Sequence, residues 1–166
     1  MIVVSDASPL ASLSFIRQID LVHQLYGQII VPEAVWQELI AGRHHPGRDL
    51  VLNASWIERR AVQNQPLVLS LQKDLDRGEA EAIALALEAD ADLLIIDERL
   101  GRRTAQHFGL NIIGVIGVLI DAKRHGLISE VKPYLDQLRI IAGFRISEAL
   151  YRRVLADEQE VPQNNG

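Results

Sequence analysis

Short apolar runs separated by longer amphipathic stretches set the pattern of the chain. Aliphatic residues fill most of positions 2–4, 28–31, 93–96 and 111–113, and none of these runs alternates between apolar and polar residues. Runs of this length predict β-strands, and the lack of alternation predicts that both faces of each strand are covered. A further short strand is predicted at Trp56-Ile57.

The stretches between these runs show apolar residues at helical spacing and carry residues typical of helix boundaries. Ser8-Pro9 predicts a helix start, Pro32 predicts another helix that ends at Gly42, and Pro66 is expected to break the segment around it. Further helices are predicted up to residue 27, at 79–89, 98–108 and 115–124, and from near 129 and 147. Alternating strands and helices predict an α/β fold, a three-layer α/β/α sandwich with a mostly parallel sheet and additional C-terminal helices.

Composition and length agree with one globular domain. The chain has 166 residues, of which 48% are hydrophobic and 23% are charged, which is ordinary for a folded domain. We expect the domain over residues 1–156 and a polar, disordered tail over 157–166. No run approaches the ~18 apolar residues of a membrane span, and a cytoplasmic location is expected.

The charge is uneven along the chain. The net charge is −5, but residues 74–98 hold nine acidic residues and one arginine, so the remainder is slightly basic. This separation fits a cation site beside an anion-binding surface, although a solvated helix face would give the same pattern. The absence of cysteine excludes disulfides, thiolate nucleophiles and cysteine-bound metals. Any metal must be held by oxygen or imidazole ligands.

Four carboxylates are candidates for chemistry. Asp6 and Asp97 each follow an apolar strand, and the carboxyl ends of parallel strands frame the functional crevice of an open α/β sheet. Glu38 and Glu81 lie within predicted helices, while Glu79 is already explained by the dipole of its helix. Converging carboxylates repel one another unless a cation is bound, and Mg²⁺ or Mn²⁺ prefers such oxygen ligands. The chemistry indicated is metal-assisted hydrolysis of a phosphodiester.

Other interpretations of these residues stay open. Asp6 and Asp97 could be turn or cap residues, and Glu38 could be an exposed helix residue. Phosphatase and receiver folds also place aspartates at strand ends. The phosphatase pattern is missing because no second aspartate stands two positions after Asp6, and the receiver pattern is missing because the first strand carries no paired acid. The pair His44-His45 is expected on a loop, exposed to solvent or in contact with phosphate. Walker, GxGxxG, HExxH and GxSxG motifs are absent.

Segments across nearly the whole chain resemble the PIN domain, most closely the bacterial branch described as predicted nucleic-acid-binding proteins. The resemblance is carried by VSDASPL at 4–10, VPEAVWQEL at 31–39, GEAEAI at 78–83, IDER at 96–99 with GR at 101–102, GVIGVL at 114–119 and GLI at 126–128. It implies a Mg²⁺- or Mn²⁺-dependent endoribonuclease, the toxin of a VapBC-type (type II) toxin–antitoxin pair. Such toxins are dimeric and are silenced by a small antitoxin.

Carried over by position, the resemblance implies the catalytic acids Asp6, Glu38, Glu81 and Asp97, with Asp6, Glu81 and Asp97 as metal ligands. The chain departs from the pattern at Glu81, where many members have aspartate, and around Asp97, which Ile95-Ile96 precede and Glu98-Arg99 follow. The alternative is therefore a catalytically weak or inactive module that binds RNA or protein.

Two expectations concern binding surfaces. Three arginines after Asp97 are expected to contact RNA phosphates or to pair with nearby acids: Arg99, Arg102 and Arg103. Dense apolar residues between 127 and 144 exceed what one small sheet needs, which predicts a homodimer.

Overall fold

A computed structural model describes residues 1–41 and 45–160. Its five strands are β1 (Val3–Ser5), β2 (Ile29–Pro32), β3 (Ile57–Arg60), β4 (Leu93–Ile95) and β5 (Ile112–Ile113). Its helices are α1 (Ala7–Phe15), α2 (Asp20–Tyr26), α3 (Glu33–Ile40), α4 (Arg48–Leu52), α5 (Gln65–Leu71), α6 (Arg77–Glu88), α7 (Arg99–His107), α8 (Val115–Arg124), α9 (Lys132–Ile140) and α10 (Glu148–Asp157). No helix in this part of the chain is long and apolar enough to cross a membrane.

The strands form one parallel sheet in the order β3-β2-β1-β4-β5. The chain first moves from β1 to β2 and β3, and then returns to the other side of β1 for β4 and β5. The order reverses between β1 and β4, which are paired from Val3 with Leu93 to Ser5 with Ile95. The loops beyond the carboxyl ends of β1 and β4 therefore diverge and leave a crevice.

Helices cover both faces of the sheet, which confirms the predicted three-layer fold. Every residue of β1 and β2 is buried, so the strands have no solvent face, as their unbroken apolar sequences require. Helix α6 packs against β1, β2 and β4, whereas α8 packs against β5 and contacts α1 and α2. The crossovers from β1 to β2 and from β4 to β5 run in opposite directions along the sheet, and right-handed crossovers of opposite direction place their helices on opposite faces.

Some boundaries differ from the sequence prediction. Helix α1 begins at Ala7 with Asp6 as N-cap residue, so Ser8-Pro9 lies inside the first turn. Pro66 begins a helix rather than breaking one, since it occupies the first turn of α5, where proline lacks no needed donor. Helix α4 starts at Arg48, at the end of the predicted loop. The predicted helix end at Gly42 lies outside the described residues.

The chain remains ordered beyond residue 156, where we expected the domain to end. The carboxylate of Glu160 accepts hydrogen bonds from the backbone N–H groups of Val131 and Lys132, at the start of α9, and from Lys123 Nζ at 2.8 Å. Glu158 pairs with Lys123 and Arg124. Residues 158–160 are thus joined to α8 and α9, and residues 161–166 of the predicted tail lie outside the described residues.

We expect Glu160→Ala to destabilise the fold. The change leaves two N–H groups of α9 without an acceptor, which costs on the order of 2 kcal/mol. A domain of this size loses about 2–4 °C in Tm per kcal/mol, and thermal melts measure the difference. Gln159→Asn is the control, because Gln159 is exposed and its φ of 60° suits asparagine. Equal melting of both variants would contradict a structural role for Glu160.

Candidate active site

Asp6 lies at the point where the strand order reverses. It directly follows β1, and its backbone N–H donates to the carbonyl of Ile95 in β4 at 2.9 Å. Asp6 is the N-cap residue of α1, but its side chain makes no capping hydrogen bond. The residue is only 4% exposed. The backbone N–H of Ala7 lowers the pKa of this carboxylate, but burial outweighs that effect.

Three other carboxylates surround Asp6, and we call Asp6, Glu38, Asp76 and Glu79 the acidic cluster. Burial raises the pKa of Asp6 to about 7, and the charges of the other three residues add to this rise. Burial also raises the pKa of Glu79 to about 7, again with help from Asp76, and that of Glu38. Since like charges disfavour ionisation, the cluster is electrostatically unfavourable without a cation.

Helix α6 holds two members of the cluster through its N-terminal capping. The side chain of Asp76 accepts from the N–H of Glu79 at 2.8 Å, and the side chain of Glu79 accepts from the N–H of Asp76. This reciprocal capping box fixes both carboxylates at the positive end of the helix dipole. The sequence Asp76-Arg77-Gly78-Glu79 has the spacing of a capping box. This spacing is the sequence signal that could have identified Asp76, which is not among the four acids predicted from the sequence.

A glycine allows α3 and α6 to meet at the cluster. A Cβ atom at Gly78 would overlap Glu38 Oε1 and lie 3.6 Å from Asp76 Oδ1. The carboxylate of Glu38 therefore occupies the space that any larger residue at position 78 would fill. This close approach explains how an otherwise exposed residue of α3 joins the cluster.

Asp97 lies beside the cluster and has one oxygen in use and one without a partner. Its Oδ1 accepts from the N–H of Val115, at the start of α8, at 3.0 Å. Its Oδ2 is buried and has no hydrogen-bond partner among the described residues. Burial raises the pKa of Asp97, opposed by Val115 and Arg102. The helix-cap and the ligand interpretations of Asp97 are therefore compatible, because they concern different oxygens.

Glu81 lies away from the cluster. Its two oxygens accept from the N–H of Ala34 at 3.3 Å and from Arg77 Nε at 2.9 Å. The residue is 3% exposed and joins α6 to the start of α3. Glu81 is not among the charges that raise the pKa of Asp6, whereas Glu79 is. Glu79 therefore adds to the raised pKa of Asp6 and Glu81 does not, whereas the family resemblance implies Glu81 at this site.

The three arginines that follow Asp97 have different surroundings. Arg102 donates from Nη1 to the carbonyl of Ile96 at 2.8 Å and is half-buried beside Asp97. Arg99 and Arg103 are exposed on α7. None of the three forms a salt bridge within residues 1–41 and 45–160, although the charge of Arg102 lowers the pKa of Asp97.

Of the pair His44-His45, the described residues include His45. His44 lies outside the described residues. His45 stacks on Phe15 with ring centroids 4.2 Å apart, and its Nδ1 accepts from the N–H of Gly47 at 3.1 Å. Burial lowers the pKa of His45. The ring is therefore a packed loop residue rather than a freely exposed side chain.

A cavity of about 540 Å³ opens at the cluster, and we call it the acidic pocket. It is lined by four acidic residues, two serines of α1 and the segment that follows α9: Asp76, Glu79, Asp97, Glu98, Ser8, Ser12 and residues 142–145. Arg145 is the basic residue of this lining. No sequence pattern singled out Arg145 or Glu98, because the return of segment 142–145 to the sheet edge depends on long-range packing.

The donors around this pocket fit a hard divalent cation. They are carboxylate oxygens, the ligands that Mg²⁺ and Mn²⁺ prefer, and the free Oδ2 of Asp97 is a buried acceptor in need of a positive partner. Within the described residues, no three carboxylate or histidine groups are already spaced as ligands of one ion. Binding of one ion by three of these groups would therefore require the acidic side chains to move.

A comparison with protein families agrees with this geometry. The family model DUF3368, described as a PIN domain, matches residues 2–160. The chain belongs to the PIN domain family. No curated protein and no solved structure matches the chain. The PIN domain is a nuclease fold whose members bind nucleic acids and typically use divalent metals, which suits the acids at the edge of this sheet.

The pKa values predict how the stability of this PIN domain depends on pH. Asp6 has a pKa of about 7 in the fold, against an ordinary value of 3.8, so the folded state binds its proton more tightly. The stabilisation is complete below pH ~4 and is lost as the pH rises through about 7. Without metal, Asp6→Asn should therefore raise the Tm at pH 8 by ~5 °C and leave it unchanged at pH 4.

Calorimetry of both proteins in a chelating buffer across this range measures the effect. The difference between the two proteins isolates Asp6 from acids such as Asp49 and Asp136, whose pKa values are lowered and which act in the opposite direction. A difference in Tm that does not change with pH would show that Asp6 ionises normally in the fold.

Proposed function

We propose that the protein is a metal-dependent endoribonuclease that hydrolyses RNA phosphodiester bonds. The observation that carries the proposal is the buried Asp6 among Glu38, Asp76 and Glu79 at the reversal of strand order, beside the unpartnered Oδ2 of Asp97. Such a cluster destabilises a fold unless it binds a cation. The membership in a nuclease family supports phosphodiester hydrolysis as its use.

The roles of the residues follow from their positions. Asp6 and Asp97 would hold Mg²⁺ or Mn²⁺, with Glu38 completing the site. When bound, the ion neutralises charge on the scissile phosphate and lowers the pKa of water. Glu79, whose pKa burial raises to about 7 in the metal-free fold, would accept a proton from the attacking water. Glu81 takes no part in this scheme and positions α6 against α3.

Cleavage of RNA in a chelating buffer, in Mg²⁺ and in Mn²⁺ tests the proposal. We expect cleavage by the wild type in the presence of metal only, and none by Asp6→Asn. Asp74→Asn is the matched control, because Asp74 is exposed, precedes the same helix and does not contribute to the pKa of Asp6. Cleavage that persists in Asp6→Asn, or that needs no metal, would contradict the proposal.

One observation favours the alternative of a weak or inactive binding module. The carboxylates of the described residues are not already spaced as ligands of one ion. A module of this kind would bind RNA in the assay above without cleaving it in any metal. The same assay therefore separates the two functions.

We also propose that the protein acts as the toxin of a type II toxin–antitoxin pair, with a small antitoxin as partner. The support is the resemblance of its motifs to that branch of the family. Expression of the wild type in bacteria should arrest growth, and expression of Asp6→Asn should not. Growth that continues at equal expression of both proteins would contradict a toxin role.

A homodimer is part of the same proposal. In the C-terminal apolar series Ile128, Leu135 and Leu138 are buried within the protomer, but Leu127 is 39% exposed, Ile140 is 83% exposed and Ile141 is 54% exposed. Adjacent exposed isoleucines are typical of an interface. Light scattering at micromolar concentration should give twice the mass of 18.5 kDa, and a monomer mass would remove the idea.

A further inference from the structure

A second cavity, of about 550 Å³, lies on the other side of Asp97, between β5, α8 and α10. Its volume is within the range of about 300–1,000 Å³ found for small-ligand pockets. We call it the isoleucine groove, because its floor is formed by four isoleucines of β5 and α8: Ile112, Ile113, Ile116 and Ile120. Phe144 and Leu150 complete its apolar lining.

The rim of the isoleucine groove is basic. Arg102, Arg145 and Arg153 line it, against two acids, Asp97 and Asp157. Arg145 and Arg153 are exposed and form no ion pair among the described residues. The carbonyl of Ile96 holds Arg102 at the mouth of the groove. An apolar floor beneath several arginines complements a ligand with a flat, weakly polar body and a negative charge.

The groove and the acidic pocket are adjoining spaces. Asp97, Phe144 and Arg145 line both of them. A phosphate held at the acidic pocket therefore has its neighbouring nucleotide within reach of the groove. Arg145 lies at the border, where it can contact the phosphate that joins the two positions.

We propose that the isoleucine groove binds the unpaired nucleotide next to the scissile phosphate of a single-stranded RNA. The base packs against the isoleucines and Phe144, and Arg145 and Arg153 contact its phosphates. The proposal rests on the proposed nuclease function and adds a position for the substrate. A base enters such a space only when it is unstacked from a duplex, so the groove makes the protein selective for single strands.

A protein segment fits the groove less well. An extended peptide would add to the sheet through the edge strand β5, but β5 has only two residues, Ile112–Ile113, and offers few backbone groups. The arginine rim and the continuity with Asp97 both favour a nucleic acid. A peptide as occupant would be indicated by variants of the groove that leave the affinity for RNA unchanged.

Adjacent arginines on α10 provide the first test. Arg153 lines the groove, whereas its neighbour Arg152 is exposed and does not. The affinity of a fluorescent single-stranded RNA is measured by anisotropy on Asp6→Asn, so that cleavage does not interfere. Adding Arg153→Ala or Arg145→Ala should weaken binding about 5- to 20-fold and lower its salt dependence by about one phosphate contact. Adding Arg152→Ala should change neither value.

RNA with one abasic nucleotide tests the base position. Moving the abasic site along the strand should weaken binding about 5- to 100-fold at one position, as loss of stacking does. In the Phe144→Ala variant the abasic site should weaken binding less, because the ring that the base would contact is already missing. Annealing the RNA to its complement should abolish the effect of Phe144→Ala.

The results separate the groove from the nuclease. Cleavage by the wild type with equal RNA affinity in the Arg145, Arg152 and Arg153 variants would overturn the groove and leave the nuclease intact. RNA affinity that depends on Arg145 and Arg153, in a wild type that cleaves nothing in any metal, would overturn the nuclease and leave the groove as a nucleotide site. Equal affinity for single-stranded and annealed RNA would also overturn the groove.

Discussion

Replacing Asp97 by asparagine should abolish both RNA cleavage and the stabilisation of the protein by Mn²⁺. Asparagine keeps an oxygen that can accept from the N–H of Val115, so the start of α8 stays capped. It removes the negative charge and turns the unpartnered Oδ2 into an amide group. Without metal the Tm should stay equal or rise, because a buried charge disappears. Melting curves with and without Mn²⁺, beside a cleavage assay, measure both effects.

Two variants control for the structural role of Asp97. Asp97→Ala loses the acceptor for Val115 as well as the charge, so it should cost about 0.5–2 kcal/mol that Asp97→Asn does not cost. Asp74→Asn should keep both the Mn²⁺ response and cleavage. If Asp97→Asn melts as low as Asp97→Ala and the wild type shows no response to Mn²⁺, Asp97 is only a helix cap.

The sequence predicts the sheet well because the central strands are short and their apolar residues do not alternate with polar ones. Buried parallel strands have no polar face, and the runs at 2–4, 28–31 and 93–96 have none either. Helices α4 and α5 are harder to predict, since each has fewer than eight residues. A proline in a first turn and a proline that breaks a helix look alike until the start of the helix is known. Here Asn64 is the N-cap residue, and its side chain accepts from the N–H of Leu67 at 3.2 Å.

The candidate site could be predicted only where strand ends determine position. Asp6 and Asp97 follow strands β1 and β4, and parallel pairing brings the ends of neighbouring strands together whatever the loops do. Positions within helices are less determined. Residues two apart on a helix are separated by a rotation of about 200° around its axis, so Glu79 and Glu81 project from different sides of α6. Which of the two faces Asp6 depends on the rotation of α6 about its axis. The capping box between Asp76 and Glu79 fixes this rotation at the start of the helix.

The rotation of α6 predicts that substitutions at Glu79 and Glu81 have different effects on RNA cleavage. Glu79→Gln should lower cleavage by at least ~100-fold, the usual size of a lost proton acceptor. Glutamine still completes a capping box with Asp76, so the fold should hold. Glu81→Gln should leave cleavage within a few-fold of the wild type, since Glu81 contacts Ala34 and Arg77 rather than the cluster. Single-turnover cleavage at saturating Mn²⁺ measures both variants.

Substitution of Glu81 should lower the stability of the fold, whereas substitution of Glu79 should not. Glu81→Ala leaves the N–H of Ala34 without its acceptor in a buried contact between α6 and α3, which costs about 1–2 kcal/mol. The partner charge of Arg77 adds little to this cost because its side chain is 71% exposed. Metal-free Glu79→Gln should instead melt no lower than the wild type at pH 8, because it removes one charge from a cluster that repels itself. If Glu81→Gln abolishes cleavage while Glu79→Gln preserves it, the family position at Glu81 is the catalytic one, and α6 must rotate when metal and RNA bind.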